Sequence, residues 1–344
     1  MAQTLSKPRL KQKYRKIKIT PRFCYFRSEN LENQSDFATE ISYSLTRKNK
    51  FIHPKFFYDE KGSKLFEEIC VLQEYYLTRT ELEILRSIKL EMANHLSGDY
   101  ALIELGSGSA TKTRTLLEIL TRKQKSVEYY PIDISEILKE TSENLQRDYD
   151  NLNIMGIIDQ YETGLKFIKK LSIQNQLIVF LGSSLGNFNL EENMKFLKKI
   201  RALMKENDLF LLGLDLVKDT KILEKAYNDS KGVTSKFNLN LLKRINDELA
   251  ANFDLDKFEH VSLFNNEEKR IEMYLRSKEK HEVLISAINL ALKLEKDELI
   301  HTEYSYKYTV SGIKDMAEKA GLKPVKIWRD KDNYFALVLF SIKN

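Results

Sequence analysis

Apolar positions recur at three- and four-residue spacing through most of residues 31–97, in ENQSDFATEISYSLTR, GSKLFEEICVLQ and TRTELEILRSIKLEMANHL. That period predicts helices, joined by the aromatic-rich connectors NKFIHPKFFYDEKG and EYYLTRT. From Tyr100 the pattern changes. YALIEL is a short apolar run that ends in GSGS and is followed by TKTRTLLEILTR, a strand, a turn and a helix. VEYYPIDIS leading into EILKETSENLQRD repeats this unit, QLIVFLGSSLGN leading into EENMKFLKKIRALM repeats it again, and DLFLLGLDLV adds one more strand. The expected fold class is therefore α/β, a doubly wound and mainly parallel sheet with right-handed crossovers and helices on both faces.

The alternation breaks at residue 218. Helical stretches around LEKAYND and FNLNLLKRINDELAANF precede alternating runs in KRIEMYLRS and KHEVLISAINLALKL, which predict antiparallel strands. The earlier rhythm returns with SGIKDMAEKAGL as a helix and with PVKIWRD and YFALVLFSI as strands. This divides the chain into residues 1–20 as a basic flexible arm, residues 21–80 with 218–305 as a second α+β lobe, and residues 81–217 with 306–344 as a Rossmann-like domain. Within IHTEYSYKYT, period two places His301, Glu303, Ser305 and Lys307 on one strand face and Thr302, Tyr304, Tyr306 and Tyr308 on the other. A polar strand face is ordinarily a wet one, so spacing alone gives Glu303 no task.

With 344 residues, 42% of them hydrophobic, the chain can build a sizeable core, which excludes a disordered protein. No apolar run approaches the roughly 18 residues of a membrane span, and no hydrophobic stretch follows the charged N-terminus, so neither a membrane protein nor a secreted one is expected. Two cysteines, Cys24 and Cys70, without metal-ligand spacing, fit a reducing cytoplasm. The formal charge of +6 raises the possibility of a nucleic-acid partner, but its distribution argues against one. Lys7, Arg9, Lys11, Lys13, Arg15, Lys16 and Lys18 stand in residues 1–20 without an acid, and the rest of the chain holds 49 basic against 50 acidic side chains.

Glycine is scarce, 12 in all, yet Gly106 and Gly108 sit in ELGSGS and Gly182 and Gly186 in LGSSLGN, each turn after an apolar strand. Glycine in such a turn lets the backbone approach a ligand at the carboxyl end of a parallel strand, where nucleotide cofactors bind. Asp133, at the end of the next strand, is placed to accept hydrogen bonds from ribose hydroxyls. A dinucleotide fold asks for GxGxxG, but Thr111 stands at the third glycine. The pattern E-L-G-S-G, with Glu104 two residues before Gly106, favours S-adenosyl-L-methionine as cofactor. The five histidines show no ligand spacing, and no metal is expected.

FYDEKGSKLFEEI, EYYLTRTE, ELGSGSATKTR, FLGSSLGN, LDLVKDTKILEKAYND, FDLDKFEHV, RIEMYLRS and HTEYS, in this order, closely resemble the histidine-specific methyltransferase family of ergothioneine biosynthesis. The resemblance runs from about residue 30 to the C-terminus. It implies a class I methyltransferase that trimethylates the α-amino group of L-histidine to hercynine, with the second lobe binding substrate. Carried over by position, cofactor contacts fall on Tyr58, Gly106, Lys112 and Asp133. The family's adenine-binding acid and aromatic fall on Gln160 and Tyr161, with Asp159 one residue early, so either Gln160 or Asp159 can serve the adenine.

The resemblance also implies that Asn187 and Tyr227 hold the substrate carboxylate, that Gly182 offers a backbone carbonyl near the amine, and that Tyr75 lines the pocket. Met273, Glu303 and Ser305 fall where the family binds imidazole, and Tyr58 is the residue expected to steer the amine through its methylation states. A monomer acting on a small molecule, with no nucleic acid and no membrane, is the expectation. A methyltransferase for another amino acid or amine, and a non-catalytic binding protein on the same fold, are the rival readings.

Overall fold

The computed structural model describes residues 14–29, 34–171, 173 and 175–343. The chain starts with two strands, β1 (Tyr14–Thr20) and β2 (Phe23–Ser28), followed by helix α1 (Gln34–Leu45) and the short β3 (Lys50–Phe51). Three helices follow, α2 (Glu60–Cys70), α3 (Tyr76–Ser87) and α4 (Lys89–His95). The alternating region then runs β4 (Ala101–Leu105), α5 (Thr111–Lys123), β5 (Val127–Asp133), α6 (Ile137–Asp148), β6 (Leu152–Ile158), α7 (Tyr161–Lys169), β7 (Gln176–Phe180), α8 (Leu190–Leu203) and β8 (Leu209–Asp215).

All of these strands except β3, with the C-terminal strands β14 (Leu322–Arg329) and β15 (Phe335–Ile342), form one nine-stranded sheet in the order β1-β2-β6-β5-β4-β7-β8-β15-β14. Every residue of β4, β7 and β8 is buried. Leu102, Leu177 and Leu211 face one core, while Ile103, Ile178 and Leu212 face another on the opposite side. That is the physical reason for the uninterrupted apolar runs: both faces of the central strands are covered by helices.

The remaining elements are α9 (Thr220–Tyr227), α10 (Val233–Leu249), β9 (Phe258–Asn265), β10 (Arg270–Ser277), β11 (His281–Ile285), β12 (Leu290–Leu294), β13 (Leu299–Tyr306), α11 (Val310–Lys319), β14 (Leu322–Arg329) and β15 (Phe335–Ile342). The second lobe carries a four-stranded sheet in the order β3-β13-β10-β9, and β11 and β12 form a separate hairpin. Helix α10 packs against β9, β10 and α2.

Three expectations need correction. Residues 14–20 are not a free arm but strand β1, paired antiparallel to β2, which in turn pairs with β6. Residues 1–13 of the expected arm lie outside the described residues. The exposed Arg15, Lys16 and Lys18 lie on the sheet's edge strand, where charge discourages pairing with another chain. Residues 23–28 likewise belong to the large sheet rather than the second lobe, and α3 packs on β15 and α5, so a boundary at residue 80 falls inside a helix of the large domain.

The third correction concerns the face of β13. Met273 pairs with Glu303 but Tyr274 pairs with His301, so Thr302 is an extra residue in a β-bulge. Strict alternation fails at that point. His301 turns to the side of Tyr304, their ring centroids 3.9 Å apart, leaving Glu303, Ser305 and Lys307 on the other face. That face is not wet: Glu303 is 8% exposed, Ser305 2% and Lys307 4%.

Candidate active site

The loop after β7 and strand β13 meet at Gly186. A Cβ there would lie 2.9 Å from the Tyr306 carbonyl oxygen, a backbone atom that cannot move aside, so only glycine permits this approach. The approach carries Asn187 to β13, where its Nδ2 donates to Glu303 Oε2 at 3.5 Å. Asn187 is not the cap of α8; Asn189 is, in a reciprocal capping box with Glu192. The Asn187 side chain therefore has no capping role. Met273 stands directly across from Glu303 on β10, 1% exposed.

Tyr227, the last residue of α9, hydrogen-bonds through its hydroxyl to Ser305 Oγ at 2.8 Å. Its ring lies edge-on to Tyr75, with centroids 6.0 Å apart. Tyr58 packs edge-on against Phe66 and Phe237. Burial pushes the Tyr58 phenol well above its ordinary value, and the fields of Glu303, Tyr161 and Asp133 act in the same sense.

Behind this surface lies a buried charge cluster that the sequence reading gave no role. Lys307 Nζ donates to Tyr227 Oη at 3.0 Å, to Ser305 Oγ at 2.8 Å and pairs with Asp215 at 3.0 Å. Asp215 also accepts from the Tyr76 hydroxyl at 2.7 Å and pairs with Lys218. Burial lowers the Lys218 ammonium to about 8, against the pull of Asp215. The signal available in the sequence was an acid closing an otherwise apolar strand, LFLLGLD.

At the carboxyl ends of β4 and β5, the Asp133 carboxylate accepts from the backbone N–H of Gly108 at 3.2 Å and of Ser135 at 2.9 Å. Gly108 has φ +47° and nothing within 4 Å of where a Cβ would stand, so this stretch of backbone is open to a ligand. Glu104 lies beneath, 3% exposed, accepting from the hydroxyls of Thr113 at 2.7 Å and Tyr129 at 2.5 Å. Burial pushes its carboxyl up to about 7, opposed by those two donors. The Tyr161 hydroxyl comes within 2.7 Å of the space beside Gly106.

Gln160 is exposed at the start of α7, whereas Asp159 is buried at 3% and receives the Tyr14 hydroxyl at 2.5 Å. Lys112 is held by Glu81 at 2.7 Å, and the same carboxylate accepts from the Gly182 N–H at 2.8 Å. Glu81, Asp215, Lys307 and Tyr14 are thus functional candidates that motif reading did not supply. Glu81, Asp215 and Tyr14 reach the site from elements remote in sequence, and Lys307 from just past the end of the strand that carries Ser305.

Residues 37–342, which include every position above except Tyr14, match the family described as histidine-specific methyltransferase, S-adenosylmethionine-dependent. The chain belongs to this family. It is an S-adenosylmethionine-dependent N-methyltransferase built on a mixed α/β fold with a large, mainly parallel sheet. It is 38% identical over 301 residues to the histidine N-alpha-methyltransferase of Mycobacterium tuberculosis, covering 87% of this chain and 93% of that protein. The histidine N-alpha-methyltransferase of Mycolicibacterium smegmatis is 37% identical over the same shares. The L-tryptophan methyltransferase of Psilocybe serbica is more distant, 27% identical over 83% of this chain and 87% of that protein.

The methyltransferase's own residues fit its cofactor. An open glycine backbone at Gly108, a buried acid at Asp133 and an aromatic at Tyr161 stand together at the carboxyl ends of β4, β5 and β6, where a nucleoside is bound in this architecture. Among the described residues no group of three or more His, Cys, Asp or Glu side chains could hold a metal ion.

Proposed function

We propose that this methyltransferase trimethylates the α-amino group of L-histidine to hercynine, the first step of ergothioneine biosynthesis. The observation that carries the reading is the bulge at Thr302, which sets Glu303 and Ser305 on one buried face opposite Asn187 and beside Tyr227. A buried carboxylate and hydroxyl two residues apart suit the two ring nitrogens of imidazole, one as N–H donor and one as acceptor. Asn187 and Tyr227 suit the substrate carboxylate. An indole, with one N–H and no ring acceptor, would give the Ser305 hydroxyl hydrogen no ring nitrogen to meet, at a cost that discriminates against it.

The cofactor supplies an electrophilic methyl group on sulfur, and the protein's task is to present a neutral amine in line with it. Asp133 would hold the ribose, Tyr161 the adenine face, and Lys112 the amino-acid end. Asp159, buried, is better placed than the exposed Gln160 for the adenine amine. Tyr58 keeps its proton because burial raises its phenol. It therefore orients the amine through oxygen lone pairs, and water carries the released proton away. The Gly182 peptide, its N–H fixed by Glu81, is positioned to orient the amine as well.

No helix among the described residues is long and apolar enough to cross a membrane. With Cys24 and Cys70 both free thiols, a cytoplasmic enzyme is the reading we favour. The deciding experiment is incubation with S-adenosylmethionine and a panel of amino acids, read by mass spectrometry. A gain of three methyl groups on histidine is expected. Turnover confined to another amino acid or amine, or S-adenosylhomocysteine binding with no turnover, would overturn the assignment.

A further inference from the structure

The three donors of Lys307 are all in use. They go to Tyr227 Oη at 3.0 Å, Ser305 Oγ at 2.8 Å and Asp215 at 3.0 Å. The two hydroxyls also lie 2.8 Å from each other. Each hydroxyl has one hydrogen and two lone pairs. Without a third group, two buried hydroxyls in contact satisfy each other, and the pair can offer a ligand only one hydrogen. An ammonium behind both oxygens changes that count: each oxygen already accepts from Lys307, so the hydrogen shared in the 2.8 Å contact can turn to a ligand without leaving either oxygen short of a donor.

We propose that Lys307 is a positioning residue that frees the hydroxyl hydrogens of Tyr227 and Ser305 to point at the substrate together. This rests on the histidine reading above and deepens it. Tyr227 then donates to a carboxylate and Ser305 to a ring nitrogen that carries no proton, while the ring's N–H faces Glu303. The site thus selects one neutral tautomer of imidazole together with a carboxylate on the same molecule.

The surroundings keep the arrangement fixed. Lys307 and Asp215 have fully buried side chains, and Asp215 is further held by Tyr76 and Lys218. Burial pulls the Lys307 ammonium down, but Tyr227 and Asp215 together hold it above its ordinary value, so the donor count does not change near neutral pH. Burial likewise keeps the Tyr227 phenol protonated despite the nearby ammonium. The hydrogen to be donated is therefore present.

The test is Lys307→Met, which keeps the length of the side chain and removes the donors. Kinetics with L-histidine are compared with those of histamine, which lacks the carboxylate, and pyrrolylalanine, which lacks the ring acceptor. Losing one hydrogen bond to a charged or ring acceptor should raise the histidine KM about 10- to 100-fold. S-adenosylhomocysteine affinity by calorimetry should stay within about twofold, as that site lies elsewhere. Discrimination against at least one analogue should fall by a similar factor to the rise in KM.

In a Tyr227→Phe/Ser305→Ala background the same substitution should add little, since no hydroxyl remains to be turned. If Lys307→Met does not fold, Lys307→Met/Asp215→Asn removes both charges and is read in the same way. An unchanged histidine KM, or an equal fall for histidine and both analogues, overturns the proposal. A parent enzyme inactive on histidine would instead overturn the functional reading on which it rests.

Discussion

Replacing Glu303 with Gln should weaken the enzyme and stabilise it at the same time. Burial pushes the Glu303 carboxyl up to about 7 from 4.5, with only Lys307 pulling it down. Between those two values the folded chain holds a proton that the unfolded chain has released, so stability falls as pH rises through that window. The buried charge therefore costs about 3 kcal/mol at pH 8 and under ~1 kcal/mol at pH 5. Gln has nearly the same shape and no charge to bury. Across 344 residues, relief of about 3 kcal/mol corresponds to a melting temperature about 4 °C higher at pH 8. At pH 5 the gain should nearly vanish. The functional loss runs the other way: an imidazole N–H that had an ionised acceptor loses about 1.5–3 kcal/mol, or roughly 10- to 150-fold in histidine KM. Thermal melts at the two pH values and steady-state kinetics at saturating cofactor measure both. A histidine KM within twofold of the parent's, or a variant that melts lower than the parent at pH 8, would refute the picture of Glu303 as a buried, weakly compensated substrate ligand.

The cofactor half should respond separately. Asp133→Ala should weaken S-adenosylhomocysteine binding by about 10- to 100-fold in calorimetry, by loss of a charged acceptor for ribose, and leave the histidine KM far less affected; equal effects on both would mean the two subsites are misassigned. Gly186→Ala puts a Cβ 2.9 Å from the Tyr306 carbonyl oxygen. The loop must then retreat from β13, which should cost about 1–3 kcal/mol of stability and separate Asn187 from Glu303. Histidine turnover should fall at least ~10-fold with cofactor affinity retained, and unchanged kinetics would show the contact to be dispensable. Tyr14→Phe removes one donor to Asp159, and S-adenosylhomocysteine affinity should drop about tenfold by titration. An unaltered affinity would mean that β1 contributes only to the sheet edge.

Much of the architecture follows from local pattern. The apolar runs at Tyr100–Leu105, Gln176–Phe180 and Leu209–Leu214 are buried on both faces, and such strands show their character in any short window. The glycine turns at Gly106–Gly108 and Gly182–Gly186 and the acid at Asp133 are equally local features. β1 and β2 were harder to read. The lysines and arginines interleaved with Ile17 and Ile19 resemble a solvated tail until β6 is available to pair with β2. Propensity says little about an edge strand, because what stabilises it is the partner's ladder of backbone groups.

The sequence by itself determined the α/β fold class and the alternation of strands and helices from β4 to β8, because period and turn chemistry are written along the chain, while resemblance to the family nominated the binding residues. Tertiary structure alone decided which of those residues meet and in what state. Thr302 as a bulge cannot be seen in IHTEYSYKYT, since a bulge is a mismatch in count between two strands, and here the second strand lies at Arg270–Ser277. That one extra residue sends His301 to the far face and leaves Glu303, Ser305 and Lys307 inward. The burial that raises Glu303, and the joining of Lys307 to Asp215 and Tyr76, likewise depend on distance through space, which no spacing along the chain encodes.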